Sequence, residues 1–330
     1  MIDFTEIKSI LIIRLSSLGD VLLTTPLIRT LKKKYPNIAI DFLVKESYLE
    51  ALKYNTHLRQ ILTYHPDRTN ELIKQLKEKR YNLVIDLQNN LRSRRILKNL
   101  GVESVVFKKP TFKKFLLVTT KINLLKDKMS IPFYYSKSLD NLQLDENGLD
   151  LFIPQDVESK LKKDEKYIGF CPGSRHFTKM WPAEYFIELG NMLTKEGFKI
   201  VLFGGKDDKE IVKFIEGKIK NSINLCNDNK LLQTAENMKR CSVVVCNDSG
   251  LMHTATAVKT PVAAIFGSTV QEFGFAPYKA KSIILENKSL SCRPCSHIGR
   301  DECPKGHFKC MLDIKPKDVY NNIIQFYISL

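Results

Sequence analysis

Apolar residues fall into short unbroken runs separated by stretches where they recur every three or four positions, and the two patterns alternate along most of the chain. The run SILIIRL (9–15) is β-branched and apolar at successive positions, as expected of a parallel strand buried on both faces. After the turn SSLGD, residues Leu27, Ile28, Leu31 and Tyr35 follow helical spacing until Tyr35-Pro36 ends the run. AIDFLV (39–44) predicts a strand, ELIKQLKEKR (71–80) a helix and YNLVIDLQ (81–88) another strand with an acid among its last residues. This βαβα order implies a parallel sheet with helices on both faces.

Residues 154–166 are polar and charged, and YIGFCPGS (167–174) then restarts the strand-and-loop pattern. Helix AEYFIELGNMLTKEG, strand FKIVLFGG, helices KEIVKFIEGKI and KLLQTAENMKRC, strand SVVVCND, a helix from Ser249 and strand PVAAIFGS follow in order. Leu231, Leu232, Ala235 and Met238 lie at helical spacing and read as core contacts. No solenoid repeat or low-complexity tract interrupts the pattern. The expectation is α/β: two doubly wound Rossmann-like domains, 1–155 and 156–330, facing across a cleft into which the strand C-termini point, with the last helix returning onto the N-terminal domain.

Length and composition fit this picture. A chain of 330 residues exceeds what one core usually supports, and 43% hydrophobic residues supply two. The opening MIDFTEIK carries two acids before a short apolar run without a signal-peptide pattern, and no uncharged run reaches the roughly 20 residues of a membrane span. A soluble, cytoplasmic protein is expected.

Charge adds a partner. Lys and Arg number 52 against 36 acids, a surplus of +16. It is concentrated in residues 92–128, where Arg92, Arg94, Arg95, Lys108, Lys109, Lys113 and Lys114 face only Glu103 and Asp127 as acids. Such a block suits an acidic substrate, an anionic membrane surface or nucleic acid, or is simply a solvated face. Of the eight cysteines, Cys171, Cys226, Cys241 and Cys246 sit among apolar neighbours and read as buried thiols in a reducing compartment. Cys292, Cys295, Cys303 and Cys310 have C-x2-C-x7-C-x6-C spacing with His297 and His307 between, compatible with structural zinc, free thiols or a redox-labile disulfide.

Small and polar residues collect at four strand ends, where open α/β sheets bind ligands. None is a GxGxxG or Walker A sequence, which disfavours a nicotinamide domain or a P-loop NTPase. In NDSGLMHTA, Asp248 and Ser249 read as N-cap residues, Gly250 admits a ligand to the backbone and His253 lies one turn on: a diphosphate site, or a plain capped helix. In CPGSRHFTKMWP, Ser174, Arg175, His176 and Lys179 follow a strand and precede the chain's one tryptophan and Pro182, expected at helix position N1. FGGKDD offers Asp207 and Asp208 either to ribose hydroxyls or as an acidic helix start. Asp20 in SSLGD is equally a helix cap or a base.

Together, SSLGDVLLTTPLIRTLKKKYP, CPGSRHFTKMWPAEYFIEL, VLFGGKDD and VCNDSGLMHTATAVKTPVAAIFGST resemble glycosyltransferase family 9, the ADP-heptose:lipopolysaccharide heptosyltransferases. The resemblance runs from about residue 8 to 325 and is weakest over 90–155. It implies a GT-B fold and an inverting, metal-independent transferase without cofactor. In it Asp20 is the general base, Lys179 contacts the donor phosphates, and Asp248, Ser249, Gly250 and His253 wrap the diphosphate, Ser249 replacing the more frequent Thr. Ser174, Arg175 and Asp207 join the donor site, while Ser16, Ser17, Gly19, Asn89, Arg92, Arg94 and Arg95 line the acceptor site. The implied partners are a nucleotide sugar, ADP-heptose, an acidic lipopolysaccharide core and, peripherally, the cytoplasmic face of the inner membrane, with no nucleic acid. Two alternatives stay open: another nucleotide sugar used for surface polysaccharide, and a basic nucleic-acid-binding protein.

Overall fold

The computed structural model describes residues 3–125, 130–140, 142–227 and 230–330. Its contacts divide the chain into two units, Met1–Pro110 with Ser130–Phe152, and Thr111–Met129 with Ile153–Leu330.

In the first unit, β1 (Ser9–Ile13), β2 (Ala39–Lys45), β3 (Gln60–Tyr64), β4 (Leu83–Asp86) and β5 (Ser104–Val106) form a parallel sheet in the order β3-β2-β1-β4-β5. The connections contribute α1 (Leu18–Leu22), α2 (Thr25–Lys34), α3 (Thr69–Glu78) and α4 (Leu91–Leu100). Leu11, Ile13, Leu43 and Val84 pack against Leu72, Ile73 and Leu76 of α3 and Ile96 of α4. The segment Ser130–Phe152 is tied to α2 by the buried Arg29, which bonds both oxygens of Asp145, at 2.6 and 2.9 Å, the Gly148 carbonyl and Asp150.

The second unit holds β6 (Tyr167–Cys171), β7 (Lys199–Leu202), β8 (Ile223–Asn224), β9 (Cys241–Asn247), β10 (Val262–Phe266) and β11 (Ser282–Glu286) in the parallel order β11-β10-β9-β6-β7-β8. Both faces are covered, which is why these strands read as continuous apolar runs. Ile168, Phe170, Val243 and Val245 meet Phe186 and Leu189 of α7 (Ala183–Lys195), while Tyr167, Cys171, Val244 and Cys246 meet Met252 and Ala255 of α10 (Gly250–Ala257).

Several expectations are corrected. Residues assigned to the first domain, including α5 (Thr111–Thr120), belong to the second unit, where Leu117 and Leu125 pack on Phe273. The division falls at Phe152/Ile153 rather than at 155/156. The terminal helix, which by chain order is α12 (Pro316–Ile328) after α6 (Ile131–Lys137), α8 (Lys209–Glu216), α9 (Leu231–Met238) and α11 (Lys309–Leu312), packs on its own unit. Its Val319 and Ile323 enter the core beside α7, and Tyr327 meets Phe198 edge-on at 5.1 Å. Pro182 is the N-cap of α7 and not its first helical residue. Cys171, Cys241 and Cys246 are buried, but Cys226 is half-buried with its thiol on the Gly205 carbonyl. No helix among the described residues is long and apolar enough to cross a membrane.

The strand orders locate the sites. Connections run one way from β1 and the other way from β4, so the loops after these neighbours diverge; β6 and β9 have the same relation in the second sheet. A crevice forms where strand order reverses, and open α/β sheets bind ligands there.

Candidate active site

At the first switch point the chain leaves β1 through Arg14 and Leu15, crosses a cis Ser16–Ser17 peptide and starts α1 with Ser17 as N-cap. Arg14 is buried and reaches three ways: Nη2 to Asp20 Oδ1 at 2.6 Å, Nη1 to the Leu87 carbonyl at 2.6 Å and Nε to the Ser16 carbonyl at 2.9 Å. The other carboxylate oxygen of Asp20 accepts from the Ser17 amide at 3.1 Å and the Ser17 hydroxyl at 2.8 Å. Burial works against the Asp20 charge, but Arg14 and the two Ser17 donors outweigh it and hold the carboxyl below the ordinary carboxylate range. Asp20 is therefore both helix cap and anion. These bonds use three of its roughly four lone-pair positions, leaving room for a further donor.

The loop after β4 is built around buried polar side chains. Asp86 accepts from the amides of Gln88 and Asn89, each at 2.9 Å, and from the Ser93 hydroxyl at 2.7 Å. Gln88 in turn accepts from the amides of Leu15 and Ser16, at 2.9 and 3.1 Å, fastening one loop to the other. Asn89, left-handed at φ 43°, donates to the Phe107 carbonyl and accepts from Arg94 Nε. Lys109 donates to the Asn89 carbonyl at 3.2 Å; burial and then Arg14 lower its pKa. Tyr135 is fully buried and edge-on to Phe107, and burial raises its pKa.

Of the expected acceptor residues, Ser16, Ser17 and Gly19 frame Asp20, while Asn89 lies on the loop after β4 and is bonded by Arg94 of α4. Arg92 is exposed, and Arg95 is drawn away to Asn70 Oδ1 of α3 at 2.9 Å. Arg14, Asp86, Gln88 and Tyr135 were not anticipated. Arg14 carried a signal: a lone cation inside a doubly apolar strand run must find partners if buried.

At the second switch point Asn247, the last residue of β9, donates to the Pro172 carbonyl at 2.7 Å and accepts from the Trp181 amide at 3.0 Å, holding both ends of the loop after β6. The fully buried Trp181 anchors that loop further through its indole N–H to the Ile314 carbonyl at 2.9 Å. Lys179 then lies with Nζ 2.7 Å from Asp248 Oδ2, which also accepts from the Thr269 hydroxyl at 2.7 Å. Asp248 is thus a partner of Lys179 and not a helix cap. Ser249 is the N-cap of α10, yet its side chain makes no cap bond and its buried hydroxyl has no hydrogen-bond partner among the described residues. Gly250 opens the helix, and the buried His253 lies in its first turn. Uncapped amides, a spare hydroxyl and a lysine at one helix start make an anion site.

The other expected donor residues are placed less uniformly. Ser174 is half-buried and Arg175 exposed. His176 Nδ1 is 3.5 Å from Asp301. Asp207 is exposed, whereas Asp208 turns inward: it accepts from the Gly205 amide at 2.8 Å and abuts Gly173, where a Cβ would stand 1.9 Å from its Oδ1. Burial raises the pKa of Asp208. All eight cysteines are free thiols, Cys292 Sγ is 3.8 Å from His307 Nε2, and among the described residues no three His, Cys, Asp or Glu gather to hold a metal.

Residues 69–305 match a family model described as Glycosyltransferase family 9 (heptosyltransferase). The chain is similar to lipooligosaccharide heptosyltransferase 2 of Campylobacter jejuni, 28% identical over 169 residues that cover 49% of this chain and 52% of the relative. It thus spans about half the length of the first curated relatives it matches. With lipooligosaccharide heptosyltransferase 2 of Haemophilus influenzae the identity is 27% over 342 residues, covering 94% of this chain and 96% of the relative. Among solved structures, a family 9 glycosyl transferase from Veillonella parvula superposes with TM-score 0.80 at 24% identity, covering 98% of both chains. The E. coli ADP-heptose lps heptosyltransferase II gives 0.76 at 23%, covering 97% of this chain and 99% of that one. These likenesses fix the fold as GT-B, two parallel-sheet α/β domains.

Proposed function

The chain belongs to glycosyltransferase family 9, and from that premise we propose that it is an inverting, metal-independent transferase moving a heptose from ADP-heptose onto the acidic inner core of lipopolysaccharide. The observation that carries this reading is the division of chemistry between the two switch points. One holds an ionised Asp20, the other Lys179 beside the uncapped start of α10.

The acceptor hydroxyl attacks the anomeric carbon as its proton passes to Asp20, and the bond from that carbon to the diphosphate breaks with its electron pair leaving on ADP. Attack opposite the leaving group inverts the centre. Asp20, held below the ordinary carboxylate range, is ionised at neutral pH and is a weak base in the resting enzyme. It accepts the proton late, when the forming C–O bond has made the hydroxyl acidic. Charge developing on the diphosphate is met by Lys179, which has two N–H donors beyond the one on Asp248, by the first amides of α10 and by the Ser249 hydroxyl. Asp207 at the Lys206–Asp208 turn is assigned to the donor's ribose, with Ser174 and Arg175 on its phosphates. Ser16, Ser17, Asn89, Arg92 and Arg94 are assigned to the acceptor. The acceptor is lipid-borne, which puts the enzyme in peripheral contact with the cytoplasmic face of the inner membrane.

Asp20→Asn is expected to bind ADP normally by calorimetry and lose turnover about a thousandfold; near wild-type turnover would exclude Asp20 as base. Lys179→Ala is expected to weaken ADP at least tenfold, roughly the 1.4 kcal/mol of one lost contact, and unchanged ADP affinity would remove the diphosphate from this site. Scanning fluorimetry against nucleotide sugars tests the donor, since a ligand of the folded state raises the melting temperature. Stabilisation by a uridine or guanosine diphosphate sugar and not by ADP-heptose would transfer the reading to another sugar.

A further inference from the structure

Helix α5, TFKKFLLVTT, carries large apolar residues on its solvent side as well as on its packed side. Its inner side is well accounted for: Leu117 packs with Leu125 and Phe273, and Val118 joins Val270 and Phe275 around them. The Lys114 ammonium lies over the Phe273 and Phe275 rings at 5.6 and 5.1 Å, and Lys121 Nζ, just beyond the helix, donates to the Cys292 and Pro294 carbonyls at 3.1 and 2.7 Å. These contacts fix the helix on the second unit.

Its outer side faces water with aromatic rings. Phe112 is 71% and Phe115 61% exposed, and the chain beyond the helix continues with Ile122 at 54% and Leu124 at 40%. Large apolar side chains clustered in water in this way mark an interaction surface. Charge selects the partner. Residues 111–125 contain Lys113, Lys114 and Lys121 and no acid, and Lys113 is exposed between the two phenylalanines. Aromatic rings with ammonium groups beside them match the boundary between anionic headgroups and acyl chains. A second copy of this chain carries the same surplus of +16, so self-association through α5 sets cation against cation, whereas an anionic bilayer gains from the same charges.

We propose that the outer face of α5 is a bilayer contact, with Phe112 and Phe115 entering the acyl boundary of an anionic membrane and Lys113 meeting its phosphates. The assignment rests on the lipid-borne acceptor proposed above and names the element that meets the membrane.

The test is co-sedimentation of the full chain with phosphatidylcholine vesicles, with and without phosphatidylglycerol. The wild type is expected to bind the anionic vesicles, and the double variant Phe112→Ser, Phe115→Ser to bind them at least about tenfold more weakly, the scale of two lost apolar anchors. Its ADP affinity, melting temperature and turnover on a delipidated acceptor are expected to stay unchanged. Lys113→Glu is expected to reduce the preference for phosphatidylglycerol. Equal binding by the double variant overturns the role of α5 while leaving membrane association in place. No binding by the wild type overturns both, and turnover on the delipidated acceptor then judges the transferase reading separately. A wild-type dimer made monomeric by the double variant gives the face to a second copy and ends the proposal.

Discussion

Arg14 governs whether Asp20 can serve as an anion. It is the one charged residue in SILIIRL, and its guanidinium satisfies a carboxylate and two carbonyls that would otherwise lack these donors. Removing one member of a buried pair leaves an uncompensated charge, at a cost of about 3–5 kcal/mol when burial is complete; Asp20 keeps some exposure, so the lower end applies. Arg14→Met removes the main counter-charge that offsets burial and is expected to raise the Asp20 pKa above the ordinary range, moving the acid limb of kcat/KM to higher pH. The stability profile reverses with it. In the wild type the folded pKa is depressed, so the pair's contribution is present above the unfolded value of about 3.9 and is lost only as pH falls through the lower, folded value. In the variant the folded pKa is raised, so stability declines as pH climbs through that raised value. Denaturation midpoints measured across acid to neutral pH distinguish the two slopes, and parallel profiles would show that Arg14 does not set the Asp20 charge. Asp20 was legible because an acid beside Gly19 interrupts an apolar pattern. Its partner was hidden because the same apolar pattern absorbed Arg14 as one more strand residue.

Strands were legible according to their place in the sheet. β1, β2, β4, β6, β7, β9 and β10 lie inside the two sheets and are largely or wholly buried, and their sequences are accordingly apolar on both faces. The four strands without a counterpart in the sequence reading, β3, β5, β8 and β11, are the four sheet edges. They are short or mixed in burial, since an edge packs on fewer neighbours and has less need of apolar residues. What pins the loops was equally hard to see, because Gln88 and Asn247 act through side-chain amides that any loop contains. Their effect is open to test at Asn247. Asn247→Leu leaves the Trp181 amide and the Pro172 carbonyl without their partner, at a cost of roughly 1–3 kcal/mol for each group. The denaturation midpoint is expected to fall, and ADP affinity with it, as the loop carrying Lys179 loosens. A lower midpoint at unchanged ADP affinity would limit Asn247 to a structural role.

At the scale of the chain, length and the polar stretch after residue 153 announced two units, but no local pattern announced that α5 belongs to the second. That membership depends on contacts between Leu117 or Leu125 and Phe273, about 150 positions later, which no periodicity encodes. The consequence is a second unit that is discontinuous in sequence, and this can be measured because the chain's one tryptophan, Trp181, is buried in that unit's core. Residues 153–330 alone lack the side chains that cover Phe273 and the lysine that caps the Cys292 and Pro294 carbonyls. A second protein, in which residues 111–125 are joined to 153–330 through a Gly/Ser linker, restores them. Burying Leu117 and Leu125 contributes about 1.5–3 kcal/mol each, less the modest entropy of closing the linker. The linked protein is therefore expected to unfold, by Trp181 fluorescence, at a clearly higher urea concentration, with a larger slope because more surface is buried. Coincident curves would mean that α5 adds nothing to the second unit. A higher midpoint would show that the helix is held by its inner face, leaving Phe112 and Phe115 on the outer face open to another partner.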